Sequence, residues 1–139
     1  MRKITEIIIH CSATPERRDF SAADIDLWHR QAGYGKIGYH YVIRLDGTVE
    51  KGRDESETGA HCRGHNAHSI GICYIGGMTA DMSATKDTRT EHQRRALRNL
   101  ISEIRQRHPL AVPYGHNDFT HKACPCFDVS KEFAYLFQK

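Results

Sequence analysis

The stretch Ile4-Thr5-Glu6-Ile7-Ile8-Ile9-His10 is rich in β-branched residues, and Cys11-Ser12-Ala13-Thr14-Pro15 breaks the pattern directly after it. Such a run predicts a buried strand with His10 at its carboxyl end. Ligands gather at the carboxyl ends of strands in open sheets that contain parallel strands. His10 is therefore a candidate ligand, although a lone histidine at the end of a core strand more often only satisfies its own hydrogen bonds.

A second stretch, Gly115-His116-Asn117-Asp118-Phe119-Thr120-His121-Lys122-Ala123-Cys124-Pro125, offers an imidazole at His116 and a thiol at Cys124. An extended chain would place these two residues roughly 26–29 Å apart. Two ligands of one zinc ion each lie about 2.0–2.3 Å from it, so the segment must fold back to form a site. Turn residues next to His116 favour such a loop, and His10 is the natural third ligand.

An amphipathic helix is predicted over residues 20–33, with a cap at Ser21. Trp28 lies on the apolar stripe of this helix, which indicates a core anchor. His29 lies off that stripe, which predicts a solvated side chain.

Asp46-Gly47 lies between two alternating segments and is a strong hairpin signal. In an extended strand Tyr39, Tyr41 and Ile43 share one face. Either tyrosine could reach a site at the start of the strand, and the spacing does not choose between them.

The remaining segments complete the order of elements. Residues 70–75 predict a buried strand, and Thr90-Glu91-His92-Gln93 is a capping box that begins a long amphipathic helix. Val112-Pro113-Tyr114 predicts a short strand, and Asp128 caps a last helix. The order of strands and helices predicts an α+β (mixed α/β) fold, a central mixed β-sheet with about three helices packed on its faces.

Three histidines, His61, His65 and His68, lie close together in a stretch that also contains glycine and asparagine. A second metal site is one interpretation of this run. The neighbouring residues favour a polar loop instead, in which the histidines are solvated or hydrogen-bonded. His61 is a candidate for lining the cleft.

Composition limits the classes of function. At 139 residues the chain predicts a single domain, residues 1–139, large enough to fold without a structural metal. Its net charge of +3 is too small to indicate direct nucleic-acid binding. Five cysteines, no cationic leader and no long apolar segment predict synthesis in the cytoplasm without a signal peptide, and no membrane insertion.

Several motifs, in order along the chain, carry a resemblance to a known family. They are His10-Cys11-Ser12-Ala13-Thr14, Gly38-Tyr39-His40-Tyr41, Asp46-Gly47-Thr48-Val49-Glu50, Gly52-Arg53-Asp54-Glu55, Asn66, Ser69-Ile70-Gly71-Ile72 and Lys122-Ala123-Cys124-Pro125-Cys126-Phe127-Asp128. With them the chain resembles the zinc-dependent N-acetylmuramoyl-L-alanine amidases of type 2, above all the small phage lysozymes of that family. Peptidoglycan recognition proteins share the fold.

The resemblance implies one Zn²⁺ ion on His10, His116 and Cys124, with Tyr39 and Lys122 as the catalytic pair. It implies a phage or prophage lysis enzyme, an endolysin that hydrolyses the amide bond between N-acetylmuramic acid and L-alanine in peptidoglycan. Lys122 would stabilise negative charge on the carbonyl oxygen. Tyr39 would orient water, assist proton transfer or bind that oxygen, and the sequence leaves these roles open.

One residue of these motifs departs from the family pattern. Where the phage pattern has serine after the proline, this chain has Cys126, which puts a second thiol close to the metal. The enzyme hypothesis also predicts a monomer that acts on the cell wall after release or delivery, with muropeptide as its substrate.

Two alternative hypotheses belong to other classes. The first is a non-catalytic peptidoglycan-binding module, but recognition proteins that only bind typically lack the cysteine ligand, so Cys124 favours the enzyme. The second is a regulator of an intracellular protein partner such as RNA polymerase, as one phage member of the family is. No residue here identifies an interface for such a partner.

Overall fold

The computed structural model describes residues 2–137. The ends of the predicted domain, Met1 and residues 138–139, lie outside the described residues. In order, the chain forms β1 (Glu6–Cys11), β2 (Thr14–Pro15), α1 (Ala22–Gln31), β3 (Tyr41–Ile43), β4 (Val49–Lys51), β5 (Ser69–Tyr74), β6 (Gly77–Met78), α2 (Glu91–Arg107), β7 (Val112–Gly115) and α3 (Val129–Glu132). Short 3₁₀ turns lie at Asn66–His68, His116–Asp118 and Ala134–Phe137.

Strand β1 lies inside a five-stranded sheet of order β4-β3-β5-β1-β7. It pairs in parallel with β5 and with β7, whereas β4 is antiparallel to β3. Ile7, Ile8 and Ile9 have no exposed surface, as expected for a strand that has neighbours on both edges and is covered on both faces. The predicted central mixed sheet is confirmed.

Helices cover both faces of the sheet, which confirms the predicted layers. The core under α2 and α3 contains Ile7, Ile9, Ile70, Ile72, Leu97, Leu100, Ile101, Ile104 and Phe133. The smaller core under α1 contains Ile25, Val42, Cys73 and Ile75. Because successive side chains of a strand alternate, Ile8 and His10 point to the α1 face. In the part of the chain that the structure describes, no helix is long and apolar enough to cross a membrane.

Local sequence signals fix the ends of the elements. Ser21 and Thr90 are the N-caps of α1 and α2, and each forms a reciprocal capping box with the residue three positions later. In the β3–β4 hairpin, Gly47 has a φ of 88°, a left-handed conformation that glycine adopts without strain. The predicted caps and the predicted hairpin are therefore confirmed.

The predicted common face of Tyr39, Tyr41 and Ile43 is wrong. Strand β3 begins only at Tyr41, which is paired with Ile72 of β5. Tyr41 and Ile43 enter the core under α2, whereas Tyr39 packs on the α1 side. Because Tyr39 precedes the paired residues, the strand alternation does not extend to it. The same shift brings Tyr39 to the face that carries His10.

A buried arginine anchors the connection between β6 and α2. The side chain of Arg89 is 1% exposed and donates to Asp87 at 2.9 Å and to both carboxylate oxygens of Glu132 at 2.7 Å. Its guanidinium also lies 3.4 Å from the ring centroid of Phe127. These contacts tie the connection to α3 and to the segment that follows Cys124.

Replacing Arg89 by methionine is expected to lower the free energy of unfolding by about 2 kcal/mol, because the charge-assisted hydrogen bonds of Arg89 to Asp87 and Glu132 are lost. Both carboxylates keep Arg94 as a neighbour, at 3.2 and 3.8 Å, which limits the loss. Urea denaturation followed by circular dichroism measures this change. Arg98→Met is the matched control, since Arg98 lies on an exposed face of α2, 3.9 Å from Glu91. The control should change the free energy of unfolding by no more than about 0.5 kcal/mol. Equal stability of the two variants would contradict the role of Arg89.

Candidate metal centre and cleft

Three predicted ligands meet at the carboxyl end of the parallel strands. His10 lies near the end of β1, and His116 follows β7 directly. Because Ile9 and Gly115 are paired in register, the two histidines extend from the same edge of the sheet, with ring centroids 4.5 Å apart. The loop after His116 folds back and brings Cys124 to them, so that one donor atom from each residue lies within 4.8 Å of the others.

The donor set suits a zinc ion. Zinc takes imidazole nitrogen at about 2.0–2.1 Å and thiolate sulfur at about 2.3 Å in a tetrahedral arrangement, which places neighbouring donors roughly 3.3–3.8 Å apart. The cluster lies within that range after small side-chain movements. The backbone N–H of Cys11 donates to Cys124 Sγ at 3.1 Å, a contact that holds the sulfur at the cluster.

Burial keeps the imidazoles of the site neutral. Desolvation lowers the pKa of His10 well below its ordinary value, and the neighbouring His61 and His116 lower it further. Desolvation also lowers the pKa of His116, with a smaller contribution from the Lys122 ammonium. A metal binds the neutral ring, so both side chains are in the required protonation state at neutral pH.

His61 lies against His10, at the position predicted to line the cleft. Its Nδ1 is 2.8 Å from His10 Nε2, and its Nε2 is 3.2 Å from the hydroxyl of Ser69. Burial, with the nearby His40 and His116 rings, lowers its pKa to about 3. The ring rests directly on Gly71 of β5, where an added Cβ would come within 2.6 Å of it. His61 therefore fixes the orientation of the His10 ring.

Tyr39 also borders the cluster, with its ring centroid 5.0 Å from that of His10. Burial raises the pKa of the Tyr39 phenol well above its ordinary value, and the neighbouring thiols of Cys73, Cys124 and Cys11 raise it further. The phenol therefore keeps its proton at neutral pH and is a hydrogen-bond donor. Of the two tyrosines that the spacing left open, the structure brings Tyr39 to the site.

His29 was not predicted as part of this region, and the prediction that it is solvated is wrong. Its Nδ1 accepts a hydrogen bond from the backbone N–H of Gly38 at 2.9 Å, and its ring centroid lies 5.4 Å from that of Tyr39. Position on the helix stripe could not reveal this contact, because the chain after α1 turns back over His29. His29 therefore holds the backbone that leads into Tyr39.

A cavity of about 310 Å³ opens over the cluster, and its lining includes Tyr39, His61 and Lys122 beside the three candidate ligands. A second hollow of about 540 Å³ shares His61, His116 and Lys122 with it and continues past Arg63. Lys122 is exposed and lies where the two hollows meet. The two hollows therefore meet beside the cluster.

Cys126 stands outside the ligand group of His10, His116 and Cys124. Its thiol donates to the backbone oxygen of Gly77 at 3.4 Å. Burial and the neighbouring Cys11 thiol raise the pKa of Cys126 to about 12, so it remains a thiol at neutral pH. Cys126 is therefore placed outside the candidate metal site by its position, since its sulfur is directed to Gly77.

Two histidines and a cysteine, open on one side to a cleft at the edge of a mixed sheet, form the arrangement typical of a metal-dependent hydrolase. The family model described as N-acetylmuramoyl-L-alanine amidase matches residues 1–127. The chain belongs to the N-acetylmuramoyl-L-alanine amidase family.

Individual proteins support this membership. The endolysin of Klebsiella phage KP32 is 39% identical over 130 residues, which is 94% of this chain and 85% of the phage protein. The structure of the N-acetylmuramoyl-L-alanine amidase LysC from Clostridium intestinale superposes with a TM-score of 0.82 at 27% identity, covering 99% of this chain and 88% of LysC. Peptidoglycan-recognition protein SC2 of Drosophila melanogaster is 30% identical over 113 residues, 78% of this chain and 58% of that protein. The predicted resemblance and the amidase class are confirmed.

Replacing His61 by alanine is expected to weaken metal binding at the His10–His116–Cys124 cluster by roughly 10–100-fold, because the partner that orients a ligand is lost. Competition between the protein and a chelator for Co²⁺ measures the affinity, and the absorption of the cobalt–thiolate bond reports this cluster alone. His92→Ala, at an exposed position of α2, is the control and should bind like the parent protein. Unchanged affinity in His61→Ala would show that His10 needs no partner.

Proposed function

We propose that this chain is a zinc-dependent N-acetylmuramoyl-L-alanine amidase that cleaves the bond between N-acetylmuramic acid and L-alanine in peptidoglycan. One observation carries the proposal: the donor atoms of His10, His116 and Cys124 converge within 4.8 Å below a cleft bordered by Tyr39 and Lys122. The family is generally zinc-dependent, and endolysins and amidases are among the relatives.

His10, His116 and Cys124 would hold the metal ion, with the cleft on their open side. A Zn²⁺ ion bound there would supply a hydroxide nucleophile at neutral pH and polarise the carbonyl of the amide. His10 and His116 are kept neutral by burial, and His61 keeps the His10 ring in the orientation that binding requires.

Lys122 and Tyr39 are assigned to the reacting amide. As the carbonyl carbon becomes tetrahedral, negative charge develops on its oxygen, and the Lys122 ammonium at the cleft stabilises that charge. The Tyr39 phenol keeps its proton because its pKa is raised, so it donates a hydrogen bond rather than acting as a base. The cleft beyond His61 and Arg63 would bind the stem peptide or the glycan strand.

The biological role is assigned by similarity to phage endolysins. We propose a lysis enzyme that is made in the cytoplasm of a phage-infected or lysogenic cell and acts on the cell wall after release. Residues 1–139 are proposed to form one catalytic domain that acts as a monomer. The family match over residues 1–127 and the packing of α3 on β7 support a single unit.

Purified peptidoglycan incubated with zinc-loaded protein is expected to release stem peptides that begin with L-alanine and to leave the glycan strands intact. Mass spectrometry of the soluble products tests this outcome. Protein treated with a chelator is the control and should release no peptide until Zn²⁺ is restored. Retention of peptidoglycan by zinc-loaded protein without any released peptide would overturn the proposal in favour of a binding module.

Lys122→Ala is expected to lower kcat by about 10²–10³-fold, because it removes one group that stabilises the oxyanion. Tyr39→Phe is expected to lower kcat by at least about 10²-fold, because it removes the donated hydrogen bond. Both variants should keep the fold and one equivalent of thiolate-bound metal, as checked by circular dichroism and cobalt absorption.

The matched controls are Lys51→Ala and Tyr135→Phe, which change exposed side chains away from the cleft. These two variants should hydrolyse peptidoglycan at the parent rate. Full activity in both Lys122→Ala and Tyr39→Phe would contradict the assignment of the catalytic pair.

A further inference from the structure

A second group of metal-binding side chains lies at the opposite end of β1. Glu6 Oε1 is 2.9 Å from His65 Nδ1 and 3.1 Å from His68 Nε2. One donor atom from each of the three residues lies within 4.8 Å of the others. Glu6 begins β1 and His10 lies near its end, so about 13 Å of extended chain separates this group from the candidate catalytic centre.

Backbone contacts hold His68 next to Glu6. In the parallel ladder Glu6 is paired with Ser69, the residue that follows His68. The carbonyl oxygen of His68 accepts a hydrogen bond from the backbone N–H of Thr5 at 2.9 Å. Arg2 donates to the carbonyl oxygens of Asn66 and Ser69 at 3.1 and 3.2 Å, which fixes the 3₁₀ turn that carries His68.

A different contact holds His65. Its ring stacks on Phe119 with centroids 3.9 Å apart and an interplanar angle of 27°. Its backbone N–H donates to the carbonyl oxygen of Cys62 at 2.9 Å. The three donors are thus positioned by the sheet, by the 3₁₀ turn next to it and by an aromatic stack.

We propose that Glu6, His65 and His68 form a second divalent-metal site, separate from the His10–His116–Cys124 cluster. Two imidazoles and one carboxylate suit a transition metal of borderline softness, and Zn²⁺ is the occupant we assign. The ion fastens the segment 61–68, which forms one wall of the cleft, to the start of β1. His61 and Asn66 belong to that wall, so the site supports the cleft from behind.

The geometry requires little rearrangement. Donors around a tetrahedral zinc ion lie about 3.3–3.5 Å apart. The distances of Glu6 Oε1 from His65 Nδ1 and from His68 Nε2, 2.9 and 3.1 Å, are a few tenths of an ångström shorter. Two imidazole nitrogens converge on one carboxylate oxygen, and a proton moved to the outer ring nitrogen of each histidine frees both donors for a metal. Glu6 brings the negative charge that compensates the ion.

Access from solvent is graded across the group. The side chains of Glu6, His65 and His68 are 15%, 27% and 42% exposed. The ion can therefore enter from the side of His68, and water completes its coordination. The partly buried carboxylate lies in a less polar environment than a surface acid, which strengthens its attraction for a cation.

Titration of the metal-free protein with Co²⁺ tests the proposal, because the two sites differ in their donor atoms. The Cys124 site gives a thiolate-to-cobalt absorption band, whereas the Glu6 site gives only weak ligand-field bands. The parent protein is expected to bind two ions per chain, with the thiolate band complete after one. Cys124→Ala should lose the band and still bind one ion, and His68→Ala should keep the band and bind one ion.

Elemental analysis after gel filtration counts the zinc ions bound per chain, so the parent protein and its variants can also be compared with the assigned metal. Glu6→Gln should bind one zinc ion, and the control His92→Ala should bind two. All three variants, Glu6→Gln, His68→Ala and His92→Ala, should hydrolyse peptidoglycan, so metal count and activity report separately on this site and on the amidase. One ion in the parent protein, or two ions in both His68→Ala and Glu6→Gln, would overturn the second site.

Discussion

The parallel pairing of β1 with β5 on one edge and with β7 on the other is the constraint on which the molecule depends. Burial of Ile7, Ile8 and Ile9 fixes the strand between two layers of helices, and the ladder fixes its register. A slip of one residue would turn every side chain of β1 to the other face. His10 would then leave the α1 face, and the cluster with His116 and Cys124 would not form.

The same register acts at both ends of the strand. At the carboxyl end it places His10 beside His116, and at the amino end it places Glu6 beside the turn that carries His68. Hydrophobic burial in the middle thus determines two polar arrangements that share no side chain.

Short-range signals explain which parts of this structure were predictable from the sequence. The β-branched run, the capping boxes and the Asp46-Gly47 turn act within a few residues, so they give correct elements and place His10 at a strand end. The grouping of His10, His116 and Cys124 followed from their chemistry and from the family motifs. The orientation of Tyr39 was not predictable, because the first paired residue of β3 is set by β5 and not by the strand's own alternation.

Long-range convergence explains the residues that were missed. Glu6 stands in the sequence as a polar residue inside an apolar run, and only the ladder with β5 brings it to His65 and His68. His29 has the spacing of a solvent-facing helix residue, and only the return of the chain at Gly38 gives it a partner. Neither contact leaves a periodic mark in the sequence, since each depends on how the chain returns after the element that carries the residue.

Gly71 sets a limit on how this cleft can be redesigned. The His61 ring occupies the space that any larger side chain at residue 71 would need, so the floor of the cleft cannot be raised without displacing the support of His10. The rim has no such restriction: Tyr34 is 59% exposed, and Arg63 is an exposed loop residue. Substitutions intended to change substrate preference therefore belong at the rim, because a larger side chain at residue 71 would displace His61 from His10.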